Sequence, residues 1–158
     1  MRRSGYLVRG ALAAASAAGI LMAMAGPAAA VASVPDFYVE GVGAPLAGGT
    51  PQLGVPYASK GTMTDYQTDA AVGTSYRLCV VEEVGANYDK HLCTIDFHWN
   101  NDNQISVTVL VEAPHAGVEP KDFDGVVTGG GLAYEGVTGI VHYAPVAGVP
   151  NKYHVSVS

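Results

Sequence analysis

The residue types able to do chemistry in this chain are few. Cys79 and Cys93 stand fourteen positions apart, and five histidines, His91, His98, His115, His142 and His154, are spread over the second half. Two cysteines so placed lack the further ligands a zinc site requires, and the histidines fall into no ligand spacing, so no metal is implied. No Gly-x-Ser-x-Gly elbow is present for a Ser-His-Asp hydrolase. The run Gly129-Gly130-Gly131 is followed by the β-patterned Val137–Ala144 and not by a helix, which removes the phosphate-cradling reading. No cofactor is implied.

What remains for the cysteines is a disulfide, and that needs an oxidising compartment. The N-terminus supplies the route. Arg2, Arg3 and Arg9 form a basic start, Ala11 to Ala25 is apolar, and Ala30-Val31-Ala32 is a small-x-small cleavage site. Residues 1–32 therefore read as a secretory signal cut after Ala32, with Ala30 as the second choice, and the protein is expected to be secreted. The apolar run is too short and too rich in Ala and Gly for a spanning helix of about 20 residues. Removing it leaves 126 residues, 33–158, the size of one domain with a real core. Five Lys+Arg then face fourteen Asp+Glu, a net charge of −9. Nucleic acid and anionic membranes are excluded as partners, since both need a basic surface.

The elements that must position these residues are strands. Gly and Pro recur every several residues, with short runs rich in Val, Ile, Thr, Tyr and Phe between them. Eight strands are predicted: Phe37–Gly41, Lys60–Tyr66, Thr74–Val84, His91–Trp99, Gln104–Glu112, Phe123–Thr128, Gly136–Ala144 and Lys152–Ser158. Residues 42 to 59, with Pro45, Pro51 and Pro56, read as one long loop.

Register sharpens this. A hairpin centred on Ala86 sets Cys79, seven residues before, opposite Cys93, seven after, close enough for a cross-strand disulfide. The tetrad Asn100-Asn101-Asp102-Asn103 is the next turn, and a centre at Asp102 pairs Trp99 with Ile105 and Cys93 with Val111. One odd-numbered face then collects Cys79, Val81, Cys93, Ile95, Phe97 and Trp99, continued on the next strand by Ile105, Val107, Val109 and Val111. Thr94, Asp96, His98, Ser106 and Thr108 fall on the other face, so the odd face is the buried one and His98 points to solvent. The fold class expected is all-β: an eight-stranded antiparallel barrel, one domain, with one cross-strand disulfide and a lumen either filled by side chains or holding one small ligand.

Three stretches carry a resemblance. Gly129-Gly130-Gly131 … Tyr134-Glu135-Gly136 … Gly139-Ile140-Val141, then Val72-Gly73 … Leu78-Cys79-Val80-Val81, and Gln104-Ile105-Ser106-Val107 resemble the allene oxide cyclase and dirigent superfamily of small calycin-like barrels. They span roughly residues 37 to 157 in the family's order. The glycines read as structural: a run of three can take positive φ at a tight corner, while Gly136 and Gly139 suit a bend or a close backbone approach.

The resemblance implies either ring closure of an unsaturated fatty-acid epoxide or stereochemical guidance of phenolic coupling, both achieved by shape and a few polar groups. The family's first-strand glutamate corresponds to Glu40, the candidate catalytic carboxylate, which read alone is a solvated strand-end residue. The cyclase cysteine falls on Cys79, which cannot act as a free thiol when bonded to Cys93. The cyclase tyrosine falls on Val111, and the dirigent aspartate and arginine on Ala133 and Thr138. Candidate ligand-binding residues are Cys79, Val81, Ile95, Phe97, Trp99, Val109, Val111 and Tyr143. Phe97 and Trp99 are either barrel core or the wall of a pocket open near their hairpin, and Tyr143 and Tyr153 add rings and hydroxyls to the lumen.

Between Cys79 and Val111 the odd face as drawn offers no polar group, which a carrier would not miss and a catalyst would. Three functions follow: a ring-closing isomerase or stereo-guiding protein acting on a small apolar or phenolic molecule, a non-catalytic carrier with the same pocket, and a filled structural barrel. Homo-oligomers are common among the plant relatives, and the resemblance extends that expectation here.

Overall fold

The computed structural model describes residues 32–41, 46 and 48–158. Eight strands follow one another in chain order: β1 (Phe37–Glu40), β2 (Pro56–Asp65), β3 (Ala71–Val84), β4 (Tyr88–Trp99), β5 (Gln104–Pro114), β6 (Phe123–Gly131), β7 (Ile140–Pro145) and β8 (Lys152–Val157). Each pairs antiparallel with the next, and β8 returns to β1, so the sheet closes into an eight-stranded barrel with no free edge. The secretory segment falls on residues 1–31, outside the described residues, apart from Ala32.

Alternation decides what fills the barrel. Every odd residue from Cys79 to Val81, Cys93 to Trp99 and Ile105 to Val111 is buried, and the even neighbours Leu78, Leu92, Thr94, His98, Thr108 and Leu110 are exposed. The β3–β4 register is the expected one as far as Val81 opposite His91, after which a bulge shifts it by one residue. Cys79 sits opposite Cys93, and the two are bonded across a Cα separation of 4.1 Å.

The β4–β5 register is not the expected one. Phe97, not Trp99, pairs with Ile105, and Cys93 pairs with Val109 instead of Val111. The turn is tighter and centred on Asn101. The Trp99 amide donates to the Asn103 carbonyl at 2.9 Å, and Asp102 takes a left-handed φ of 66°, which closes a three-residue loop. The slip is two residues, an even number, so the buried face is unchanged.

β2 also differs, beginning at Pro56 inside the expected loop. Proline is tolerated at a strand's first position, and Tyr57, Ser59, Gly61 and Met63 then alternate inward. The glycine triplet is not a left-handed corner. Gly129–Gly131 lie extended at the end of β6, and the positive-φ positions that follow are Leu132 (φ 55°), Gly136 (φ 80°) and Gly139 (φ 141°). Gly130 is needed for space: a Cβ there would stand 2.1 Å from the Tyr134 carbonyl oxygen. That contact lets the single turn Leu132–Tyr134 fold against the barrel end and bury Tyr134.

The two ends of the lumen differ. At one, Phe37, Phe97, Trp99 and Tyr134 interlock edge to face, with centroids 4.9 Å apart for Phe37–Phe97, 5.3 Å for Phe37–Trp99 and 5.1 Å for Trp99–Tyr134. The side chains at the other end leave space.

Candidate functional site

That space is a cavity of about 490 Å³ at the end where β3 runs into β4. Its walls come from β1 (Val39), β2 (Tyr57), β3 (Arg77), β4 (His91, Ile95) and β5 (Val111), with Phe123, Tyr143 and Tyr153 from β6, β7 and β8 and residues 49–51 at the mouth. The connection before β2 is pinned there, since the Gly54 amide donates to the Val81 carbonyl at 2.9 Å.

Arg77 is placed by strand parity, two residues before Cys79 on the same inward face, and opposite Ser59 on β2. Its Nε–H donates to Ser59 Oγ at 3.0 Å, and the residue is only 8% exposed. Among the described residues no carboxylate forms an ion pair with it. Burial holds its guanidinium down to about 10, with Tyr57, Tyr143 and Tyr153 pulling the other way.

One step toward the mouth, Tyr57 Oη and His91 Nδ1 are 2.5 Å apart. Burial pushes the Tyr57 phenol up and the His91 imidazole down, the latter helped by Arg77 and opposed by Asp89. At neutral pH the pair is therefore a phenol and a neutral imidazole. Tyr143 stacks on Phe123 with centroids 4.5 Å apart and planes 17° apart, and Tyr153 meets Phe123 edge-on. Burial raises the Tyr143 phenol strongly, and among the described residues its hydroxyl has no hydrogen-bond partner.

Of the residues expected to bind ligand, Ile95, Val111 and Tyr143 line this cavity, as does Cys93. Cys79, Val81 and Val109 are buried in the lumen without forming its walls, and Phe97 and Trp99 belong to the filled end. Of the two readings open for Phe97 and Trp99, they take that of barrel core, within the aromatic interlock. Glu40 is exposed, because its neighbour Val39 is the one that points inward, so it does not reach the cavity.

The expectation of an odd face without polar groups between Cys79 and Val111 is corrected by His91. Arg77 and His91 lie on the odd face, as does Ser75, and the signal was the same parity run back from Cys79 and across to the residue opposite Val81. Tyr57 and Ser59 were hidden by reading residues 56–59 as loop. Among the described residues no group of three or more His, Cys, Asp or Glu side chains could hold a metal ion.

No family model and no curated protein matches this sequence. Solved structures do. The chain is similar to pyocyanin demethylase, with 18% identity and a TM-score of 0.55 over 78% of this chain and 98% of that one. At that identity the likeness is one of fold.

Proposed function

We propose that this chain is an exported barrel that takes up one small, mostly apolar, aromatic or phenolic molecule in the 490 Å³ cavity. The cavity carries the proposal: its volume lies in the range of small-molecule sites of about 300–1,000 Å³, and apolar walls surround a few convergent polar groups. The structural neighbour adds support of a coarser kind, since a barrel of this fold bears the name of an enzyme acting on pyocyanin.

Guidance of a rearrangement or coupling, as the allene oxide cyclase and dirigent resemblance implies, is the activity we propose to test first. It requires polar groups held inside an apolar lumen, and Arg77, His91, Tyr57 and Tyr143 are such groups. Glu40, exposed on the outer side of β1, is left out of this proposal. The carrier reading shares the cavity and differs only in turnover.

Native mass spectrometry of the exported protein, mixed with host extract and a panel of phenolic and fatty-acid compounds, tests uptake. One ligand per chain is expected, and bare protein across the panel would sink the proposal. The same spectra read the export proposal: cleavage after Ala32 gives a chain beginning at Ser33, whereas a retained N-terminus contradicts it. Self-association completes the proposal. Leu92 and Leu110 are paired neighbours on the outer face and both exposed, with exposed Leu78 nearby on β3, apolar area that a second copy would cover. Light scattering at several concentrations checks it, and a monomer throughout is the contrary result.

A further inference from the structure

We infer that the molecule this cavity takes is an organic monoanion, seated head-first with its carboxylate on the Arg77 guanidinium and the Tyr143 hydroxyl. The inference rests on the small-molecule reading above and adds the ligand's charge and its orientation.

Two independent features carry it. The first is a buried cation without its anion. Arg77 uses Nε–H on Ser59, which leaves the other guanidinium donors for something else. No Asp or Glu lines the cavity. The stretches outside the described residues, 1–31, 42–45 and 47, contain no Asp or Glu at all, so the chain has no carboxylate to bring from there. Among the described residues no aromatic ring receives this guanidinium either; the cations found over rings are Lys60, Lys121 and Lys152. A buried charge is retained when something pairs with it, and the guanidinium fork matches a carboxylate with two parallel hydrogen bonds.

The second feature is the Tyr143 hydroxyl, fully buried, in the cavity wall, and without a partner among the described residues. A buried hydroxyl left unpaired is costly, and a carboxylate oxygen beside Arg77 would accept its proton. The neighbouring polar side chains, Tyr57, His91 and Tyr153, add no second positive charge at neutral pH, so the site matches one negative charge and not two. Orientation follows from depth. Ser59 and Arg77 pair one inward step further from the mouth than Tyr57 and Cys79, so the charged head enters first. The body then lies along the stacked Phe123–Tyr143 rings and Val111, which favours a flat or unsaturated skeleton.

The test compares acids with their neutral isosteres by titration calorimetry on the exported protein: 2-naphthoate against 2-naphthamide, and cinnamate against cinnamamide. The acids are expected to bind at least about tenfold more tightly than the amides, as a charge-assisted pair in a dry site provides. In R77Q the acid's advantage over the amide should be lost, the two binding within about twofold of each other, and Tyr143→Phe should weaken the acid by roughly three- to tenfold. Equal affinity of acid and amide in the unmodified protein, or an R77Q variant that keeps the acid, would overturn the anion while leaving the small-molecule reading intact. No binding by any of the four compounds would overturn both. The wild-type comparison and the tyrosine variant decide the matter even where R77Q does not fold.

Discussion

Arg77 carries its charge into the barrel at a cost that can be sized. A guanidinium held down to about 10 by burial gives up on the order of 3 kcal/mol, at 1.36 kcal/mol for each tenfold change in proton affinity. An anionic ligand would recover part of this cost. An Arg77→Met variant of similar volume is accordingly expected to be more stable in urea, by about 1–3 kcal/mol, although it loses the acid ligand. A destabilised variant would mean that the guanidinium is already well paired. His91 gives a second expectation at this scale. Its folded imidazole lies below the ordinary value, so the unfolded chain binds protons more readily and stability falls as pH drops below about 6.5. The lowered carboxylates Asp65, Asp89 and Glu112 lose their contributions only at more acidic pH. Urea midpoints at pH 7.5 and 5.5 should therefore differ, and H91Q should flatten the difference. An unchanged slope in H91Q would assign the effect elsewhere.

Among the elements, the β3–β4 hairpin and the β6 end set the geometry of the two barrel ends. The Cys79–Cys93 bond closes a loop of fourteen residues and is expected to contribute about 3 kcal/mol, read as a drop in urea midpoint on reduction with the strand content retained. The glycine triplet makes a sharper test, because its members differ. A Cβ on Gly130 meets the Tyr134 carbonyl at 2.1 Å, whereas one on Gly129 meets nothing within 4 Å. Gly130→Ala should cost about 1–3 kcal/mol and Gly129→Ala less than about 0.5 kcal/mol by thermal melts, and the reverse order would contradict the packing of the Leu132–Tyr134 turn. What was legible in the sequence follows the same division. Strand parity survives a two-residue error in turn position, so the buried face and the disulfide could be read while the β4–β5 partners could not. Arg77 and His91 were readable from parity, but a charged or titratable side chain in a small barrel runs against the usual exclusion of such groups from cores. Pro56 disguised the start of β2 and with it Tyr57 and Ser59. Glu40 was carried by resemblance alone, and a shift of one residue along a strand moves a side chain to the opposite face.

The molecule as a whole is a barrel plugged at one end and hollow at the other. The plug is aromatic, built of Phe37, Phe97, Trp99 and Tyr134 interlocked edge to face. The hollow end gathers residues from all eight strands around Arg77, so no single element owns the site, and residues 49–51 are placed to meet whatever enters. Closure of the sheet holds this arrangement, because each wall strand is hydrogen-bonded on both sides. The measurement that tests the account most directly is backbone amide and Trp indole chemical-shift mapping by NMR during titration with 2-naphthoate. Saturable shifts at one ligand per chain, clustered on Tyr57, Arg77, His91, Val111 and Tyr143 with the Trp99 indole unmoved, are the predicted result. Shifts centred on Trp99 or on the outer face, or none at all, would contradict it.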